Sequence, residues 1–354
     1  MTLARPGHAD LAGAIKYDTA DIREVPERAS ARPTAPRVAA GAVCRAAAGG
    51  RRRHAVELRG PVGRASVPSW TRTTRWRVSP TAGGSATAWS RRPAPSPTPD
   101  AEAAMVAEID SVIEAGDSIG GSFVVVAEGM PIGVGTNAEW DERLDAALAA
   151  AAMGIQAVKG VEIGLGFGVL VRRGSAVHDE VDPDRPSWGR RSNRAGGVEG
   201  GMSNGEPIVV RVGVKPVATA LRKPLDASTW RPVSLGRAHI ERSDVAILPC
   251  AAVVGEAMVA LVLADQLLTS FGGDTMGTLA MRRRRARSRA RGSTAPRGAG
   301  SRRAPRWTRP PRRRPSPART PERADAHPDR DRRHDHRASV RVEGRDTPTP
   351  RRRP

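Results

Sequence analysis

Aromatic side chains are scarce in this sequence. Among 354 residues there are one Tyr, three Phe and seven Trp, 3% in all. Aromatics bring the largest buried areas per residue, so a chain this poor in them does not fill its whole length with core. Cysteine is rarer still: Cys44 and Cys250 are the only two, which excludes a disulfide framework and suits a reducing, cytoplasmic compartment. The opening MTLARPGHAD has no apolar segment of the kind a secretory signal needs. The longest apolar run, Ala251–Leu268, is interrupted by Glu256, Asp265 and Gln266. It reads as a buried or amphipathic helix rather than a membrane span, so no membrane partner is expected. Metal-ligand spacing is missing as well. His334 and His336 flank Asp335 without a carboxylate or Cys cluster beside them, and no metal site is assigned.

Acidic residues are outnumbered, 37 against 58 Lys and Arg, which gives a net charge of +21. Such a balance is that of a nucleic-acid or acidic-surface binder. The charge is uneven, however. It sits in Arg45–Arg92 and from Arg282 onward, while Asp100–Asp274 lacks such an excess of basic residues and is well patterned. Four segments follow: 1–43, 44–97, 98–274 and 275–354. Residues 44–97 show neither period 2 nor period 3.6. They read as an out-of-frame translation of a GC-rich gene or as a disordered basic linker, and neither builds a core. The tail, opening MRRRRARSRARG, is expected to be unfolded from Arg282 and stripped by trypsin before any cut within 141–170. Nucleic acid is expected to bind these segments only nonspecifically, through phosphate contacts that fail as salt rises.

Within 98–274 the elements are legible. AEAAMVAEIDSVIEAG places Met105, Ile109, Val112 and Ile113 on one helical face, with Asp100 as N-cap and Gly116 as stop. SFVVVAEG is a buried strand, and an alanine-rich helix begins near Asp141. VEIG is a short strand, PIVVRVGVKP a strand from Pro207, and Ala251–Leu268 a helix ended by Gly272 and Gly273. That helix is expected to bury Val254, Met258, Leu261, Val262 and Leu268. In 5–43, Pro26, Pro33 and Pro36 argue against helix, since a proline inside one costs about 3 kcal/mol.

The stretch Asn193–Gly205, NRAGGVEGGMSNG, holds five glycines in thirteen residues. It is either a set of turns or a ligand cradle. GLGFG at Gly164–Gly168 is not a dinucleotide loop, because Val169 stands where the third glycine belongs and no helical periodicity follows. His178 reads as a polar turn residue. His8, in PGHAD, is placed where an imidazole is held either by its own turn or against a ligand.

Several long motifs occur together and in order: RPGHADLAG, ERASAR, GDSIGG, KGVEIGLGF, NRAGGVEGGMSNGEPI, KPVAT and ERSD. Over 5–43 and about 98–274 the sequence resembles chorismate synthase. The resemblance implies an α+β fold, a β-α-β sandwich of antiparallel sheets around a helical centre, assembled as a homotetramer. It implies elimination of phosphate from 5-enolpyruvylshikimate 3-phosphate with reduced FMN (FMNH2), NADPH being a possible reductant of the flavin. It also implies that His8 and Asp244 are catalytic. Arg28, Ala29, Ser30, Gln156, Ala157, Gly200, Lys215, Pro216, Val217, Ala218, Thr219 and Arg242 would contact the flavin. The family's opening segment, with a second functional histidine, and its normal strands in 44–97 are not matched here, so this chain by itself is expected to be impaired. The competing reading is a basic nucleic-acid-binding protein acting through its Arg-rich segments.

Overall fold

The run Phe123–Ala127 is buried on both sides, and the molecule is layered around it. The computed structural model describes residues 3–47, 54–57, 99–182, 184–185, 188–218, 225–230, 232–238 and 244–292. In chain order the elements begin with β1 (Leu3–Ala4), α1 (Asp10–Tyr17), α2 (Glu24–Ala29), α3 (Thr34–Ala47), β2 (His54–Glu57) and α4 (Pro99–Ala115). Next come β3 (Gly121–Ala127), α5 (Leu144–Met153), β4 (Val158–Ile163), β5 (Val198–Glu199), β6 (Met202–Ser203) and β7 (Ile208–Val214). Last are β8 (Asp226–Trp230), β9 (Val233–Arg237), α6 (Leu248–Phe271) and α7 (Met276–Gly292).

The main sheet has the order β2-β3-β7-β4, antiparallel throughout. Strand residues alternate between its faces. Phe123, Val125 and Ala127 join Ile208, Val210, Val212 and Val214 in the main core beside α6. Val124, Val126 and Val209 form a smaller cluster on the opposite side. A second antiparallel sheet, β1-β8-β9, takes in the start of the described chain. Helices and antiparallel sheets in one core make the α+β class expected from the motifs.

Helix α6 lies between the sheet and α3. It is long and apolar enough to cross a membrane, but it serves as the core helix. Leu248, Ala251, Ala252, Val254, Ala257, Val259, Ala260, Leu263 and Leu267 are buried along it. Leu268 is exposed, and Met258 and Val262 are partly buried. The expected stripe is thus wrong in part. A helix covered from several sides buries its small residues too, and a single-face pattern does not describe it.

Other expectations shift for identifiable reasons. Pro26 and Pro36 sit in the first turns of α2 and α3, where a missing N–H costs nothing. Both helices form despite them. Helix α4 starts at Pro99, so Asp100 lies inside it rather than capping it; it stops at Gly116 as expected. Its buried face is Met105 with Ile109 and Val112, whereas Ile113 is 40% exposed. Helix α5 starts at Leu144, three residues after Asp141, because the Leu144 N–H donates to the Gly201 carbonyl (2.9 Å) and fixes the entry there.

Residues 54–57, within a segment expected to lack strands, pair with β3 over His54↔Ala127 to Glu57↔Val124. Backbone hydrogen bonding along an open edge needs no side-chain period. The rest of 58–98 lies outside the described residues. So does 293–354, and with it most of the tail. Its beginning is helical. Arg282 donates to the Phe271 carbonyl at the end of α6 (2.8 Å), and Arg287 to the Gly129 carbonyl (2.7 Å). Arginine is a good helix former, and a cation at a helix C-terminus is favourable. The expectation of an unfolded chain from Arg282 fails for this stretch.

Candidate active site

The site is built outward from the turn between β1 and α1. Asp10, the first residue of α1, and Arg5 are both buried. The Arg5 backbone N–H donates to Asp10 Oδ2 (3.0 Å), and the guanidinium donates to both carboxylate oxygens, from Nε (2.7 Å) and Nη2 (3.0 Å). His8 Nδ1 lies 2.5 Å from Asp10 Oδ1, with the ring only partly exposed. Burial opposes the charge on Asp10, but the hydrogen bonds from His8 and Arg5 outweigh it and hold the carboxyl well below the ordinary carboxylate range.

A carboxyl whose folded value is depressed stabilises the fold above its unfolded value, near pH 4, and that contribution is lost as pH falls below it. Asp10→Asn is therefore expected to lower stability at neutral pH and to flatten its decline between about pH 4 and pH 2. Urea unfolding at a series of pH values checks this. An unchanged acid limb in the variant would show that Asp10 does not carry the linkage.

Other elements converge on this turn. The Lys215 ammonium donates to the Gly7 carbonyl. The Lys215 backbone N–H donates to the Ala157 carbonyl (2.9 Å), which ties the loop after β7 to the residue preceding β4. Ser118 Oγ donates to the Val217 carbonyl (2.7 Å), and the next residue, Ile119, donates to Val245 (3.0 Å), one residue beyond Asp244. Asp244 itself is exposed. Tertiary contacts thus join His8, Ala157, Lys215–Ala218 and the neighbour of Asp244 into one region. Two features there suit a bound ligand. Gln156 Oε1 is buried without a hydrogen-bond partner, and Ala157 sits at φ +65°, a strained conformation that such regions store.

Arg28, Ala29 and Ser30 lie at the end of α2, which packs on α1 through Val25 against Gly13. Thr219 and Arg242 lie outside the described residues, as does the side chain of Arg28. Gly200 lies in the glycine-rich loop before β7, and Lys215 in the loop after it.

The glycine-rich loop is a set of turns with a short hairpin, β5–β6. The loop is clamped by side chains. Asp179 accepts from the backbone of Arg194 (2.9 Å) and Ala195 (2.8 Å) and from Ser192 Oγ (2.5 Å). Asn193 accepts from Gly197 (2.8 Å) and donates to the Pro207 carbonyl (2.8 Å). At Gly196, φ is +64° and a Cβ would stand 2.3 Å from the Gly164 nitrogen, so this glycine is structural. At Gly200, φ is +58° and a Cβ would meet nothing within 4 Å, which leaves the backbone open to a ligand. GLGFG leads into a short 3-10 turn, Gly166–Val169, and not a dinucleotide-binding helix. His178 is exposed in a turn.

The sequence reading missed Arg5, Asp10, Ser118, Asp179 and Asn193. Arg5 and Asp10 bracket His8 in RPGHAD, and opposite charges around a glycine turn are a usable signal. Asp179 is fifteen residues from its partner Arg194, and no local pattern marks it.

Comparison with known proteins points to one family. The chorismate synthase family matches residues 1–268. The chain is 48% identical over 295 residues to the chorismate synthase of Thermobifida fusca, covering 78% of this chain and 68% of that protein. It is 47% identical over 283 residues to that of Desulforamulus reducens, covering 80% and 71%. A crystal structure of chorismate synthase superimposes with a TM-score of 0.65 at 38% identity, covering 80% of this chain and 77% of the other. With the ordered motifs, the fold and these matches in agreement, the chain belongs to the chorismate synthase family.

Proposed function

We propose that this chain acts as a chorismate synthase, a carbon–oxygen lyase that eliminates phosphate from 5-enolpyruvylshikimate 3-phosphate to give chorismate. The observation that carries the reading is the meeting of the His8 turn, Gln156–Ala157, Lys215–Ala218 and the Asp244 segment in one region. The nucleic-acid reading gains nothing comparable.

Reduced FMN is the cofactor of this proposal, with NADPH as its reductant. When bound, it supplies a transient electron and a resting place for the departing proton. The residues suit it. Gln156 Oε1 is free to accept from a ring N–H, and Lys215 adds positive charge for an anionic ring. Arg28–Ser30, Ala157, Pro216–Thr219 and Arg242 complete the contact set of the proposal, and Gly200 offers open backbone. His8 holds a proton at the flavin, and exposed Asp244 takes part in proton removal. We place the reaction in the cytosol. A homotetramer agrees with the exposure of Phe167 (72%), Leu170 (76%) and Val171 (86%) on one turn, and light scattering tests it.

The decisive experiment is a chimera in which residues 3–43 and 98–274 of this chain replace the matching segments of the Thermobifida fusca relative. With reduced FMN and substrate under anaerobic conditions it is expected to form chorismate. A well-folded chimera that forms none would overturn the proposal. In this chain alone, binding of reduced FMN is the second readout, and Lys215→Ala is expected to weaken it.

A further inference from the structure

The polar network behind His8 does more than hold a turn together. Asp10 accepts at both oxygens. Oδ2 takes the Arg5 backbone N–H and Nε, while Oδ1 takes Arg5 Nη2 and faces His8 Nδ1 at 2.5 Å. Arg5 Nη2 also stands 3.3 Å from the same ring nitrogen. These two approaches to Nδ1 exclude each other. A protonated Nδ1 donates to the carboxylate, and a bare one accepts from the guanidinium. The guanidinium is a donor only, and the ionised carboxylate an acceptor only. The three Arg5 donors, one backbone and two guanidinium, hold Asp10 ionised. A contact of 2.5 Å to an ionised carboxylate requires the proton on Nδ1, and the 3.3 Å approach is then simple proximity.

We propose that Asp10 is the positioning residue of His8, fixing the neutral imidazole as the Nδ1-protonated tautomer and leaving Nε2 as the nitrogen presented to the bound ligand. What Nε2 meets rests on the chorismate synthase reading, while the tautomer itself does not. The charged groups around the ring define Asp10's part. Arg5 and Asp10 come from the same turn, are both buried and balance one another. Lys215 enters from the loop after β7 and bonds to the Gly7 carbonyl. With its charge already matched by Arg5, the carboxylate serves His8 chiefly through direction, as the acceptor for one proton at one nitrogen. The hydrogen bond at one ring nitrogen decides which nitrogen is free for chemistry. An isosteric amide in place of such a carboxylate is known to leave a histidine in the wrong tautomer.

The test uses the full chain labelled with 15N-histidine, with His8→Gln assigning the resonances. At about pH 8.5, above the ordinary histidine range, His8 is expected to show a proton-bearing Nδ1 and a bare Nε2. In Asp10→Asn the amide N–H is free to face Nδ1. The proton is then expected to move to Nε2, exchanging the two nitrogen shifts, while circular dichroism stays unchanged. Binding of reduced FMN should weaken in parallel. A wild-type ring protonated at Nε2, or an Asp10→Asn variant with the wild-type tautomer, would overturn the proposal. If Asp10→Asn does not fold, the wild-type spectrum decides alone. The tautomer is read without flavin or substrate, so failure of the broader functional reading would appear separately, as absent FMN binding with the tautomer intact.

Discussion

Alanine at Gly196 is expected to lower the unfolding free energy by about 2–5 kcal/mol, from ~1–2 for a non-glycine residue in the left-handed region and ~1–3 for overpacking. Its added Cβ would stand 2.3 Å from the Gly164 nitrogen and 2.4 Å from its Cα. Neither is the movable end of a side chain, so the loop has to open. Opening it pulls on the Asp179 and Asn193 clamps and on the Leu144 N–H that starts α5. Gly200→Ala is the matched control. Its φ is +58°, but nothing lies within 4 Å, so only the conformational cost of ~1–2 kcal/mol applies. Urea midpoints at constant m-value measure both. Equal losses would refute the division of this loop into structural glycines and an open one. With reduced FMN present, Gly200→Ala is further expected to weaken binding by more than its small loss of stability explains.

Turnover in the chimera is expected to fall by about 10² or more for His8→Ala and for Asp244→Ala, the scale of a positioned acid or base. The two variants separate chemistry from folding differently. Asp244 is exposed, so its loss should leave the melting temperature unchanged. A large drop in kcat with an unchanged melt identifies a chemical role. His8 leans on buried Asp10, so His8→Ala should also change the acid limb of stability. Asp10 keeps its Arg5 partners in that variant, so the protein should still fold. Full turnover in Asp244→Ala would show that another group removes the proton. Full turnover in His8→Ala would confine the network around Asp10 to a structural role.

Much of this protein is readable from local pattern alone. The apolar run at Phe123–Ala127 reads as a buried strand because it is short, rich in β-branched Val and bounded by glycines at 120–121 and 129. The ends of α4 and α6 are set by glycines that follow them, and the absence of a helix after GLGFG follows from its sequence. The ordered motifs name the family and most residues of the proposed site.

Tertiary structure decided the rest. Pro26 and Pro36 break no helix because of where each helix begins, and sequence boundaries are not that sharp. Residues 54–57 become a strand only because β3 offers them an open edge. Arg282 continues an ordered helix because the end of α6 supplies a carbonyl eleven residues back. In the candidate site, the letters PGHAD contain His8 and Asp10, but only the buried Arg5 pairing shows which ring nitrogen faces the carboxylate. Propensity and period act over a few residues. Hydrogen bonds across the fold are settled only when the core brings their partners together.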